Sequence, residues 1–285
     1  MSTIERIAVV GSGTMGNGIA HVCALHGRDV RLVDVSREVL DDALVTIGTN
    51  LDRQVKKGVL ESDERNAVLA RIGTFTDMDE AVTDAQLVVE AVPEKAELKH
   101  RIFASLEELA PDDAILASNT SSISITEIAG RMRSPGRVIG MHFMNPVPVM
   151  RLVEVIRGLA TDDGTAEAVM ALARDLEKEP VEVHDFPGFV SNRVLMPMIN
   201  EAIFALMEGV ADEEAIDKVM TMGMNHPMGP LKLADLIGLD TCLSILEVLH
   251  RELGDDRYRP CPLLRKYVAA GWLGRKSGRG FHLYD

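Results

Sequence analysis

His142 and Glu154 stand twelve residues apart in MHFMNPVPVMRLVEVI, two apolar runs joined by a proline-punctuated bridge. An imidazole and a carboxylate form the pair used in general acid–base catalysis, where the ring moves a proton and the acid orients the ring. An imidazole suits that task because its ordinary pKa of about 6.5 lies near neutral pH. Glu154 interrupts Leu152-Val153-Glu154-Val155-Ile156. Alternate residues of a strand share a face, so the carboxylate points with Leu152 and Ile156. Burying it unpaired costs several kcal/mol, so a partner or a raised pKa is expected. His142 closes the preceding run, and two neighbouring strand ends would bring ring and acid together. A water-facing edge glutamate and a core histidine bonded to backbone fit the same spacing.

A second set begins at Gly11-Ser12-Gly13-Thr14-Met15-Gly16, between an apolar strand at 7–10 and a helical pattern at 15–25. Gly11 allows a tight turn, Gly13 lets a pyrophosphate approach the backbone, and Gly16 lets helix and strand pack closely. The helix N-terminus then faces the anion. A second strand at 30–35 carries Asp34, whose carboxylate can accept hydrogen bonds from a ribose 2′-hydroxyl and would repel a 2′-phosphate. NAD is therefore favoured over NADP, although the neighbouring Arg37 weakens that preference. The alternative is a plain glycine turn with a surface aspartate.

Two further stretches carry polar groups. Asn119-Thr120-Ser121-Ser122 follows a strand at 114–117, at the edge where open α/β sheets bind ligands. A hydroxyl there can bond a reacting oxygen, though serine is equally a turn or cap residue. Asn192 lies one turn into the helix after Pro187-Gly188, expected to face the first domain if the domains pack closely, or else to cap the helix.

The elements that position these residues follow from periodicity. Apolar residues at steps of three and four from Val39 to Val55 predict a helix stopped by Gly58. Residues 87–92, 114–117 and 138–143 read as unbroken apolar runs, which suit strands covered on both faces of a parallel sheet. Ser124 and Glu127 have capping-box spacing. From Phe189 the pattern is helical almost to the end. The expected architecture is an α/β domain over 1–185 and an all-helical domain over 186–285, hinged at the breaker-rich DFPGF.

Composition sets outer limits. A net charge of −14 argues against nucleic acid, and it obliges an anionic ligand to find a local basic patch. No apolar stretch reaches the roughly 18 residues that a membrane span needs. The N-terminus has no secretion-signal pattern. Cys23, Cys242 and Cys261 show no metal or redox spacing, so free thiols in a reducing, cytoplasmic setting are expected, and no metal.

In order and spacing, GSGTMGNGIA, LVVEAVPE, SNTSS, HFMNPVPVMRLVEV, DFPGFVSNR and NHPMGPLKLAD resemble the short-chain L-3-hydroxyacyl-CoA dehydrogenase family, nearest its bacterial 3-hydroxybutyryl-CoA members. The resemblance runs from about Ile4 to the terminal GRKSGRGFHLY. It implies a Rossmann-type, doubly wound NAD-binding domain, a helical domain for substrate and dimerisation, and reversible oxidation of (S)-3-hydroxyacyl-CoA. By the resemblance, His142 matches the catalytic base and Glu154 the carboxylate that orients it. Ser121 matches the serine at the substrate's C3 oxygen, and Asn192 the asparagine near its carbonyl. Gly11, Gly13, Thr14, Met15, Gly16 and Asp34 match the dinucleotide loop and ribose contact. Glu94, Lys99, Ser121, Asn145 and Lys276 match further cofactor contacts, and Asn50 and Lys57 match coenzyme A contacts. Arg53, Lys56 and Lys57 also cluster where phosphates would be met, or where they would offset a helix dipole. Met144 departs from the aromatic residue that many relatives carry after HF. Two rivals remain: a β-hydroxyacid dehydrogenase for free acids, disfavoured by a His–Glu pair in place of a catalytic lysine, and a non-catalytic NAD-binding relative, disfavoured by the intact set Ser121, His142, Glu154 and Asn192.

Overall fold

Apolar runs without alternation need cover on both faces, and the first part of the chain supplies it. In the computed structural model, which describes residues 3–284, eight strands form one sheet. They are β1 (Arg6–Val10), β2 (Asp29–Val33), β3 (Ile72–Phe75), β4 (Leu87–Glu90), β5 (Ile115–Ser118), β6 (Val138–Phe143), β7 (Leu152–Arg157) and β8 (Glu179–His184). Their order is β3-β2-β1-β4-β5-β6-β7-β8. Between them run α1 (Thr14–Leu25), α2 (Arg37–Lys56), α3 (Ser62–Ala70), α4 (Met78–Val82), α5 (Ala96–Leu109), α6 (Ile125–Ala129) and α7 (Asp163–Asp175). Strand order reverses direction between β1 and β4, and the C-terminal ends of these strands open the crevice where such sheets bind ligands. The core under α1 and α2 is aliphatic, with Val9, Ile19, Leu32, Leu40, Ile47 and Leu51 buried. Burying one such side chain contributes roughly 1.5–3 kcal/mol. Ser124 caps α6 by accepting from the Glu127 amide, and Asp185 adds a second fastening by accepting from Ser124 Oγ and Thr126 N.

One strand departs from the parallel expectation. β6 and β7 are antiparallel, whereas every other neighbouring pair is parallel. A parallel return needs a crossover of a dozen or more residues, and the linker 144–151 is too short for one. The reversal sets Glu154 directly opposite His142 in the ladder.

The chain divides into two compact units, the first ending at Asp185 and the second beginning at Phe186. The second is helical: α8 (Ser191–Met207), α9 (Glu213–Gly223), α10 (Pro230–Ile237), α11 (Leu239–Leu253) and α12 (Pro262–Ala269). Its own core gathers Met196, Ile199, Ile203, Leu231, Leu246 and Phe281. Two buried aspartates pin its terminal segment. Asp235 accepts from Phe281 N, His282 N and Tyr284 OH, and Asp217 accepts from Leu231 N and meets His282 Nε2 at 2.9 Å. Among the described residues, no helix is long and apolar enough to cross a membrane.

Candidate active site

β6 and β7 bring their two polar residues face to face. Directly opposed residues of an antiparallel pair have Cβ atoms roughly 4.5–5.5 Å apart, close enough for side chains to bond. His142 Nδ1 lies 2.8 Å from Glu154 Oε2, with His142 6% and Glu154 2% exposed. A carboxylate only accepts, so Nδ1 carries the donated proton, and in the neutral ring Nε2 keeps a lone pair. Ser121 Oγ stands 3.1 Å from that Nε2. The result is a bonded line, Ser121–His142–Glu154, reaching from a loop into the sheet.

That loop is held from below. It follows β5, and the Asn119 side chain accepts from Phe143 N at 2.9 Å, which ties it to β6. A single carboxylate oxygen, Glu94 Oε1, accepts from Thr120 Oγ1, Ser121 N, Ser122 N and Ser122 Oγ at 2.6–3.0 Å. Burial alone would push the Glu94 carboxyl up, but the Lys99 ammonium and the Thr120, Ser121 and Ser122 donors outweigh it and hold it below the usual carboxylate range.

The glycine loop is shaped as its spacing predicts. Gly11 has φ +99°, and a Cβ there would stand 2.8 Å from the Ala91 carbonyl. A Cβ on Gly16 would fall 1.7 Å from the Gly11 carbonyl oxygen, so helix and turn pack without side chains. Gly13 is the N-cap of α1, and a Cβ on it would meet nothing within 4 Å, so the helix start is open to an incoming group. Asp34 directly follows β2 and accepts from Ser12 N at 2.7 Å, Ser12 Oγ at 2.9 Å and Val35 N at 2.8 Å. A cavity of about 810 Å³ is lined by Gly11, Gly13, Thr14, Met15, Asp34, Glu94 and Ser121. It therefore gathers most of the residues expected at a dinucleotide, and the size suits a cofactor pocket.

Other expected residues lie elsewhere. Lys99 is 1% exposed, and its ammonium is used by Glu90 Oε1 at 2.6 Å, Val92 O at 3.3 Å and Glu94 Oε2 at 3.3 Å. This places the ammonium beside Glu94, which borders the cavity. Asn145 is exposed on the β6–β7 linker. Asn50 accepts from Arg53 on the C-terminal half of α2, where Lys57 is the exposed C-cap. In the second unit, Asn192 is buried in the first turn of α8, and Lys276 bonds both carboxylate oxygens of Asp240. Glu90 was missed in the sequence. The run 87–92 is not unbroken, because Glu90 sits in it at 0% exposure. The signal was the one that exposed Glu154: a carboxylate inside an apolar strand.

Residues 6–186 match the family described as 3-hydroxyacyl-CoA dehydrogenase, NAD binding domain, and residues 188–284 match 3-hydroxyacyl-CoA dehydrogenase, C-terminal domain. This chain belongs to the 3-hydroxyacyl-CoA dehydrogenase family. A probable 3-hydroxybutyryl-CoA dehydrogenase of Bacillus subtilis is 58% identical over 282 residues, 99% of this chain and 98% of that protein. A 3-hydroxybutyryl-CoA dehydrogenase of Bradyrhizobium diazoefficiens is 54% identical over 283 residues, 99% of this chain and 96% of its own length. Among solved structures, the (S)-3-hydroxybutyryl-CoA dehydrogenase of Ralstonia eutropha superposes with a TM-score of 0.96 at 49% identity, covering 99% of this chain and all of that one. As a 3-hydroxyacyl-CoA dehydrogenase the protein is an NAD-dependent oxidoreductase, and the glycine loop, open helix start and Asp34 fit that cofactor.

Proposed function

We propose that the protein catalyses the reversible oxidation of (S)-3-hydroxybutyryl-CoA to acetoacetyl-CoA, with His142 and Glu154 as its acid–base pair. The bonded line Ser121–His142–Glu154 carries this reading. NAD⁺, when bound, accepts hydride from C3 of the substrate. His142 Nε2 takes the C3 hydroxyl proton as that bond breaks, and returns it in the reverse direction. Glu154 fixes the tautomer that leaves Nε2 free of a proton, and its charge stabilises the imidazolium that forms. Ser121 Oγ, within bonding distance of Nε2, orients the same C3 oxygen. Gly11, Gly13, Thr14, Met15 and Gly16 form the dinucleotide loop, Asp34 takes the ribose hydroxyls, and Glu94 borders the same cavity. The assignments of Asn192 to the substrate carbonyl, of Asn145 and Lys276 to the cofactor, and of Asn50 and Lys57 to coenzyme A rest on the family motifs.

A homodimer through the helical unit is part of the proposal. Val194 on α8, Val219 and Met222 on α9, and Met224 after it are 60–76% exposed, apolar side chains that a second copy would cover. Light scattering at micromolar concentration should return twice the chain mass, and a monomer would remove this part. The assignment of activity is tested by absorbance at 340 nm with acetoacetyl-CoA and NADH. Oxidation of NADH is expected. No oxidation with this or longer 3-oxoacyl-CoA esters would favour a non-catalytic NAD-binding protein.

A further inference from the structure

A buried ion pair lies outside the proposed reaction line yet feeds into it. Glu90 ends β4 at 0% exposure. Its Oε1 accepts from Lys99 Nζ at 2.6 Å and Val92 N at 2.7 Å, and its Oε2 accepts from Ser118 Oγ at 2.6 Å. Two bonded routes leave Glu90 for the serine loop. One passes through Ser118 Oγ, which accepts from Thr120 N at 3.2 Å. The other passes through Lys99 to Glu94, whose Oε1 gathers the Thr120, Ser121 and Ser122 donors.

A lysine and a glutamate buried to this degree are costly, and replacing such a pair by well-packed neutral groups is often neutral or stabilising. Stability alone is therefore a weak reason for its presence. Its geometry supplies another. Lys99 has three donors, and the three acceptors found for it fix the ammonium directly under Glu94. Glu94 in turn holds the backbone of the residue whose hydroxyl meets the imidazole.

We propose that Glu90 and Lys99 form a positioning pair that fixes the Glu94 carboxylate beneath the 119–122 loop and so sets the Ser121 hydroxyl against His142 Nε2. The proposal rests on the catalytic reading of Ser121 and His142 given above. Both residues act through Glu94 and Ser118 and take no proton in the reaction.

The charged groups around the Glu94 carboxylate are Lys99 from α5 and, behind it, Glu90 from β4. Glu94 is held below its ordinary range, so its ionised contacts are complete above that range and are lost as pH falls through the lowered value. Removing the ammonium deletes a lowering influence, and the loss moves to higher pH.

The test is the double variant Glu90→Gln/Lys99→Met, compared with Lys99→Met alone. The single variant leaves Glu90 buried and unpaired and should melt far below wild type; the double variant should recover most of that loss. The proposal requires kcat in the double variant to stay at least tenfold below wild type despite the recovered Tm, with the acidic limb of the kcat profile shifted upward. Wild-type kcat and an unmoved acidic limb alongside recovered Tm would reduce the pair to a structural element. Should the double variant fail to fold, Glu90→Gln alone decides: a tenfold fall in kcat at unchanged NADH Kd supports the pair, and a wild-type rate overturns it. Ser121→Ala separates this claim from its premise. A wild-type rate in Ser121→Ala removes the role of Ser121 itself, whereas a slow Ser121→Ala with a wild-type double variant removes only the positioning pair.

Discussion

Glu154 and Glu90 are the same solution applied twice. Each is a carboxylate set into an apolar strand of one sheet, each is almost wholly buried, and each is paired with a basic side chain at 2.6–2.8 Å. They differ in the partner. Glu154 faces an imidazole across an antiparallel ladder, and the far nitrogen of that ring meets Ser121, which borders the cofactor cavity. Glu90 faces an ammonium from α5 that is 1% exposed and held by two hydrogen bonds and a second ion pair. Burying a carboxylate in a strand therefore does not mark a catalytic group. In the proposed mechanism the distinguishing feature is a partner that can give up a proton and meets a residue bordering the crevice.

Three variants would break or sharpen that contrast. Glu154→Gln keeps the shape but no longer secures the imidazole tautomer; kcat should fall by about 10²–10⁴, as for comparable His–carboxylate pairs. An unchanged rate and pH profile would return Glu154 to a structural role and erase the difference between the two pairs. Lys99→Met should act chiefly on folding, costing about 3–5 kcal/mol because one partner of a buried pair is removed. Denaturant unfolding measures this, and a loss below about 1 kcal/mol would mean that Glu90 is neutralised in some other way. Asp34→Ala tests a third, half-buried carboxylate on the same sheet edge. Losing charged hydrogen bonds to the ribose should raise the NADH Kd by about tenfold or more, measured by fluorescence titration. Preference of the unmodified protein for NADPH would contradict the role given to Asp34.

The same contrast explains what the sequence revealed. Glu154 was legible because it breaks the only apolar run beside a histidine-ended one, and the glycine loop because its strand, helix and Asp34 all fall at the required places. Glu90 carries the same signal, but the partner that explains it is nine residues on in a helix, where a lysine looks like ordinary surface. β3 and β8 left little trace. They are the two edges of the sheet, and β8 is exposed at most positions, so neither needs a continuous apolar run. The antiparallel turn between β6 and β7 follows from linker length rather than from residue type, so apolar runs alone suggested a wholly parallel sheet. Glu94 was legible as a motif residue. Its grip on four donors was not, because hydrogen-bond partners separated by 26–28 positions leave no local pattern.

The proton-transfer role of His142 is tested most directly by single-turnover oxidation of NADH with acetoacetyl-CoA in His142→Gln, measured beside NADH binding by the same variant. The account predicts a chemical step slowed by about 10²–10⁴ with NADH affinity nearly intact. A chemical step as fast as wild type would show that the proton travels by another group and that the His142–Glu154 pair is only part of the sheet.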